Sequence, residues 1–357
     1  MSTQDRSTDG LRSGGAFEPN ELAELLESLY AGGDATSAFA ALESAQPVVT
    51  AELLVAGASV LRRHAAEVRT PPNRAPVDIA VAGPRDESLL DLTIGAAILV
   101  AACDGTAAQS GLLADRTGGE ALLHALGLPV QETAQAAYDA LERSGSAWLP
   151  GERFHPGPTA RVLRLGAASP WLGLLGPLVN PSAPSCHVVG VRDPAHTEPL
   201  ARALGLLGAE SALVLTYGGF LSSGASTETS GHRWVDGRVT SFSHPASTRP
   251  VDLSPSGGAT VDAARLESVF EGLKGPLADA LALNAGAALW IGGVLPTFAE
   301  ACRWARSRLA QKVELSDFCV DPPVTSPIRT SPVPDSTSRR SPHLPRGGTR
   351  RPRDRRG

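Results

Sequence analysis

Apolar residues recur at three- and four-residue spacing soon after the start of the chain, at Leu22, Leu25, Leu26 and Leu29, and again at Leu53, Leu54, Val60 and Leu61. That period lines each set along one face of a helix and predicts a small helical layer over residues 18–68. The segment TPPNRAP, residues 70–76, breaks the pattern and reads as a linker. From Val77 the period changes: VDIAVAG reads as a short strand, residues 84–90 as a loop and residues 93–103 as a small-residue helix. Strand, loop and helix in that order open an α/β unit. Further helices are expected over residues 118–126, 132–143, 194–207, 263–273, 276–291 and 298–311. Strands are expected over 187–191 and 211–216, and a long Gly/Ser loop over 217–231. The fold class is therefore α/β, with a small N-terminal helical domain and a larger α/β domain, residues 77–315, whose central sheet is flanked by helices.

One stretch stands apart from these periods. Residues 172–191 read LGLLGPLVNPSAPSCHVVGV, in which Gly176-Pro177 and Asn180-Pro181 punctuate an apolar run. Proline fixes φ and glycine resists a helix, so the chain must turn here in a shaped loop. Such an elbow is either a structural bend or part of a pocket wall.

Composition narrows the setting. A chain of 357 residues that is 42% hydrophobic can bury a substantial core, and its length fits about two domains. Residues 321–357 carry nine Arg against three Asp, and taking that +6 from the net −5 leaves −11 on the rest. An acidic body argues against a dedicated nucleic-acid surface. Residues 1–16 and the Pro- and Arg-rich 321–357 lack periodic apolar residues and are expected to be disordered, and anion or nucleic-acid binding by the basic tail stays open. Cys103, Cys186, Cys302 and Cys319 lie far apart without metal-ligand spacing, which reads as buried, reduced thiols in a cytoplasmic protein. No apolar run is long enough to cross a bilayer, and the start has no signal-peptide core.

Several blocks resemble one family. Leu174-Leu175-Gly176-Pro177-Leu178-Val179-Asn180-Pro181 followed by Gly190-Val191 is similar to the LLGPLTNP…GV block of anthranilate phosphoribosyltransferases. Phe154-His155-Pro156 resembles the family's FHPA stretch. LVLTYGGFLSSGASTETSGHRWVDGRV follows its strand, metal loop and TTVAEL-DG segment, and Lys274-Gly275-Pro276 with Leu283-Asn284-Ala285 resembles its KGP…LNAAAAL helix. The resemblance covers about residues 20–311. It implies a nucleoside-phosphorylase-type architecture with the active site in a cleft, a helical domain over 17–70 joined by part of 150–185, and a homodimer. It also implies transfer of a phosphoribosyl group from phosphoribosyl pyrophosphate to anthranilate, with Mg2+ on the pyrophosphate.

Residue by residue, the resemblance assigns the donor site to Gly83, Arg85, Thr93, Gln109, Thr117 and Gly118. The family's Gly-Thr-Gly-Gly-Asp loop is here Ala82-Gly83-Pro84-Arg85-Asp86, so a proline removes one amide while Arg85 offers a bidentate cation. Its Asn-Ile-Ser-Thr turn becomes Asp91-Leu92-Thr93-Ile94, and its Lys-His-Gly-Asn becomes Gln109-Ser110-Gly111-Leu112, without the cation. Thr117-Gly118-Gly119 keeps part of a Ser-rich loop before a helix N-terminus, a fitting place for an anion. The metal-binding Asp-Glu pair falls on Ser222 and Ser223, and hydroxyls alone are poor magnesium ligands. Glu228 and Asp236 read as solvated loop acids. Asn180, Arg161 and Arg164 are assigned to the acceptor pocket, with surface ion pairing as the alternative for each Arg. His155 reads as a packing or capping histidine sooner than an acid/base group.

Two function classes follow. One is an anthranilate phosphoribosyltransferase-like glycosyltransferase acting on a small-molecule substrate. The other is a catalytically silent relative that serves as a binding or regulatory protein, since the Gly-rich loop, the Lys and the magnesium carboxylates are replaced.

Overall fold

The computed structural model describes residues 17–83, 90–111, 119–155, 157–216, 228–245 and 257–319, so the disorder expected at both ends falls outside the described residues. The chain opens with three helices, α1 (Pro19–Tyr30), α2 (Ala35–Ser44) and α3 (Ala51–Arg63). A capping box starts α1, in which the Glu18 amide donates to Glu21 Oε2 at 3.0 Å and Pro19 needs no amide of its own. The side chains of Asp34 and Thr50 cap α2 and α3. The leucines that predicted the helical layer are buried, and each contributes about 1.5–3 kcal/mol relative to exposure.

Next come β1 (Val77–Ala82), α4 (Leu92–Ala102), β2 (Ala107–Gly111), α5 (Gly119–Ala125), α6 (Ala134–Ser144), β3 (Ser146–Pro150), α7 (Gly151–Phe154) and α8 (Pro158–Gly166). The elbow, Leu172–Val179, winds as a 3-10 helix with Pro177 inside it, and β4 (Cys186–Val191) follows. The helix expected over 194–207 divides into a 3-10 turn, Pro194–His196, and α9 (Thr197–Leu206), because Asp193 caps the turn and Pro194 starts it. Then come β5 (Ser211–Thr216), β6 (Thr229–Val235), β7 (Arg238–His244), α10 (Ala259–Phe270), α11 (Pro276–Ile291) and α12 (Phe298–Ala310). The loop expected to run to residue 231 thus ends earlier, at β6, which turns into β7 through Asp236 and Gly237 at φ 52° and 74°. Two positive φ angles at Asp-Gly are the signature of a type I′ hairpin, whose twist suits antiparallel strands.

The seven strands form one sheet in the order β3-β2-β1-β4-β5-β6-β7, parallel as far as β5 and antiparallel beyond it. On one face Val77, Ile79, Val188, Leu213 and Leu215 pack with α4, α10, α11 and α12. On the other, Ala82, Val189, Val191, Ala212 and Val214 pack with α9, the elbow and the N-terminal helices. Burial on both faces explains why β4 and β5 read as unbroken apolar runs. Cys103 and Cys302 are buried thiols that burial pushes up to about 12, and Cys186 is also buried and free. Cys319 departs from the expected burial: it is exposed, with Sγ 3.3 Å from the Gly127 carbonyl.

Candidate functional site

The parallel strands converge on a defect beside β1. With β4, β1 pairs residue for residue from Val77↔Cys186 to Ala82↔Val191. With β2 it pairs only at Val77↔Ala107, although β2 itself continues against β3 as far as Gly111↔Pro150. The two strands therefore splay. A slot of about 10 Å³ opens between them, lined by Ile79, Ala80, Val81, Thr93, Gln109, Ser110, Trp148, Gly176 and Pro177. That volume holds about one water-sized oxygen. The lining comes from both faces of the sheet, Thr93 and Trp148 on the α4 side and the elbow's Gly176-Pro177 on the other.

Local interactions fix each wall. Asp91 caps α4, and its Oδ1 accepts from the Thr93 amide at 2.9 Å and the Thr93 hydroxyl at 2.6 Å. Gln109 Nε2 donates to the Ile79 carbonyl at 2.9 Å. Asn180 Nδ2 donates to the Ala108 carbonyl at 2.8 Å, while Asn180 Oδ1 accepts from the amide and hydroxyl of Ser182. Arg62 of α3 reaches the elbow from outside, donating from Nε to the Leu178 carbonyl and from Nη1 to the Leu207 carbonyl at 3.0 Å. The elbow is seated so closely that a Cβ on Gly173 would lie 2.3 Å from Gly83 Cα and 2.6 Å from the Gly166 carbonyl oxygen. Only glycine permits that approach, which fixes the exit of β1 against the elbow.

Three buried titratable groups lie close to this framework. Asp78 and His187 are register partners on β1 and β4, each about 1% exposed, with His187 Nδ1 3.8 Å from Asp78 Oδ2 and His187 Nε2 2.9 Å from the Pro184 carbonyl. His155 is wholly buried, and neither ring nitrogen has a hydrogen-bond partner among the described residues. Burial pushes its pKa down to about 4 against a smaller opposing pull from the Val179 backbone, so the ring is neutral at pH 7. Neutrality fits a packing residue.

Of the residues assigned from sequence, the structure brings Thr93 and Gln109 together on the slot, with Asn180 bonded beside them and Gly83 at the mouth of β1. Arg161 and Arg164 stand on an exposed side of α8, and the Arg161 guanidinium lies 4.0 Å over the Phe39 ring of α2. Glu228 and the hairpin acid Asp236 are exposed. Arg85, Thr117, Gly118, Ser222 and Ser223 lie outside the described residues. Sequence reading missed Trp148 as a wall of the slot. Its only signal was an aromatic in the short run SAWLP, too brief to declare a strand.

Among the described residues the lining offers magnesium no fitting donor set: it presents amides, hydroxyls and apolar groups, and Asp91 already serves as the α4 cap. Among the described residues no three His, Cys, Asp or Glu side chains gather to hold a metal, and no helix is long and apolar enough to cross a membrane.

Comparison with known proteins matches residues 73–311 to the glycosyl transferase family, a/b domain. An anthranilate phosphoribosyltransferase from Sorangium cellulosum is 30% identical over 302 residues, covering 80% of this chain and 85% of that protein. One from Halobacterium salinarum is 32% identical over 253 residues, covering 68% and 75%. The crystal structure of anthranilate phosphoribosyltransferase from Thermus thermophilus is similar with a TM-score of 0.72 at 29% identity, over 85% of this chain and 94% of that one. The enzyme from Saccharomyces cerevisiae, in complex with PRPP and Mg, shares the fold with a TM-score of 0.67 at 19% identity, over 87% and 95%.

Proposed function

Because the chain belongs to the anthranilate phosphoribosyltransferase family of glycosyl transferases, we propose that it transfers a phosphoribosyl group from phosphoribosyl pyrophosphate to anthranilate or a related aromatic acceptor. The observation that carries this reading is the slot at the splayed β1–β2 pair, which unites Thr93 and Gln109 from two of the family's donor-binding stretches. In this reaction the acceptor nitrogen forms a bond to the anomeric carbon as the bond to pyrophosphate breaks. The leaving group carries both electrons away, so the site must stabilise departing negative charge. Arg85 is the cation that the sequence supplies just after β1. Thr93, Gln109 and Ser110 orient the sugar end, and the elbow closes the far wall against water. No step is assigned to magnesium, whose donor set is missing from the family positions.

A second reading is a catalytically silent relative that binds or regulates. One observation favours it: Gln109 stands where the family has a lysine, and its amide is turned onto the Ile79 carbonyl. One assay separates the two. A working transferase mixed with magnesium, phosphoribosyl pyrophosphate and anthranilate consumes anthranilate fluorescence, and the donor alone raises its melting temperature. Absence of both turnover and melting shift would sink the transferase. A homodimer and a cytoplasmic location belong to the same proposal, and light scattering tests the first.

A further inference from the structure

Asp78 and His187 form a buried pair for which the proposed transfer has no use. They are register partners on β1 and β4, and their neighbours Ile79 and Val188 pack on the α4 side of the sheet. By alternation both side chains face the other side, with Ala82, Val189 and Val191, toward the elbow and α9. Neither Asp78 oxygen has a hydrogen-bond partner among the described residues, and neither does His187 Nδ1. Buried polar atoms are nearly always satisfied, by protein or by ordered water, so three of them in one place call for a common partner.

The other ring nitrogen narrows what that partner is. His187 Nε2 lies 2.9 Å from the Pro184 carbonyl, which can only accept, so Nε2 carries a hydrogen and the neutral ring presents a lone pair at Nδ1. Facing that lone pair at 3.8 Å is Asp78 Oδ2. A direct hydrogen bond spans about 2.7–3.2 Å, so this gap is too wide for one. An imidazolium with a hydrogen on Nδ1 would close it to about 2.8 Å, the length of a charge-assisted bond. Two acceptors held apart in this way are joined by one small molecule that donates twice, and water does so. With Asp78 ionised the water donates to both groups; with Asp78 protonated it accepts from the carboxyl and still donates to Nδ1. A metal ion fits less well, because among the described residues no three His, Cys, Asp or Glu side chains gather to hold one. The surroundings are small as well as polar: Ala212 is the β5 register partner of His187, and Ala80 follows Asp78 on the same face of β1.

We propose that one buried water bridges Asp78 and His187. By holding His187 in the tautomer with its hydrogen on Nε2, it makes this histidine the anchor of the Pro184 carbonyl, and so a positioning residue for the turn that leads the elbow into β4. The proposal rests on the β1–β4 geometry and not on the transferase reading, so either can fail without the other.

Nuclear magnetic resonance on the full chain labelled with nitrogen-15 histidine tests this at pH 7. Long-range proton–nitrogen correlation reports which ring nitrogen carries hydrogen, a signature that a merely structural role would not move. Cross-relaxation with water at the ring Hε1, which adjoins Nδ1, reports a bound water. For His187 the expected result is a hydrogen on Nε2 alone and cross-relaxation with a long-lived water. Asp78→Asn keeps the shape of the site and identifies the His187 signals by shifting them. Asp78→Leu is expected to abolish the water signal, and if that variant does not fold the unmodified protein still decides. Hydrogen on both ring nitrogens would mean a direct ion pair and overturns the proposal. Hydrogen on Nδ1 alone overturns it too, as does the expected tautomer without water cross-relaxation or a water signal that survives Asp78→Leu.

Discussion

The two edges of β1 are built from the same six residues and do opposite things. Toward β4 the ladder is complete, and even a polar pair, Asp78 and His187, is enclosed within it. Toward β2 the ladder fails after Val77, and side-chain amides from Gln109 and Asn180 stand in for strand amides. The difference shows how a parallel sheet can be opened without losing its core. One edge carries the fold, while at the other the strand carbonyls are satisfied by side-chain amides. A ligand site at a carboxyl-end crevice is common in open α/β sheets; here the crevice penetrates the sheet itself.

The sharpest way to break the complete edge is to remove half of its buried pair. His187→Leu strips the Pro184 carbonyl of its partner and takes from Asp78 its polar neighbour 3.8 Å away, the Asp78 oxygens having no hydrogen bond among the described residues even with His187 in place. The change is expected to cost about 3 kcal/mol, because a buried carbonyl loses its donor and a buried carboxyl its polar neighbour. Urea unfolding would show a lower midpoint at unchanged slope. A loss below about 0.5 kcal/mol, the scale of an ordinary surface substitution, would mean that this edge does not depend on the pair.

The open edge should yield in two smaller steps. Asn180→Ala strips the Ala108 carbonyl and both Ser182 donors of their partner, and is expected to cost about 2 kcal/mol. Gln109→Met orphans one carbonyl and is expected to cost about 1 kcal/mol. Their order matters more than either value. If Gln109→Met proves the more damaging in thermal unfolding, the elbow is not the principal support of the splayed strands.

How far the sequence revealed this contrast depends on the residue. Helices with buried leucines at regular spacing, such as α1 and α3, announced themselves, as did the apolar β4 and β5. The strands β2 and β3, reading AAQSG and SAWLP, did not, because they are short and poor in β-branched residues and take their places through pairing. The hairpin β6–β7 carries an Asp-Gly turn signal, yet its strands are half-exposed and polar, so no alternation stood out. Thr93, Gln109 and Asn180 were named through family resemblance, since a lone amide or hydroxyl carries no local pattern. Their actual bonds depend on a register stop that no single-chain period encodes. Asp78 and His187 lie 109 positions apart, and only the β1–β4 register joins them.

The smallest expected effect tests the elbow through its buried neighbour. His155 is neutral when folded, with its pKa down at about 4, and it titrates near its ordinary 6.5 once unfolded. Between those values the unfolded chain binds the extra proton, so stability falls as pH drops below about 6.5 and the loss is complete near pH 4. From pH 7 to pH 6 this residue is expected to remove about 0.7 kcal/mol, nearly all of it from protonation of the unfolded state. His155→Phe keeps a ring in the same apolar site without a titrating group. The measurement is the difference in unfolding free energy between pH 7 and pH 6 for each protein, so that contributions common to both cancel. A shallower pH dependence in the variant, by that amount, fits a histidine packed neutral beside Val179. Identical pH dependence in the two proteins would mean that the folded His155 takes up its proton as readily as the unfolded one, and that the apolar seating of the elbow against this ring is wrong.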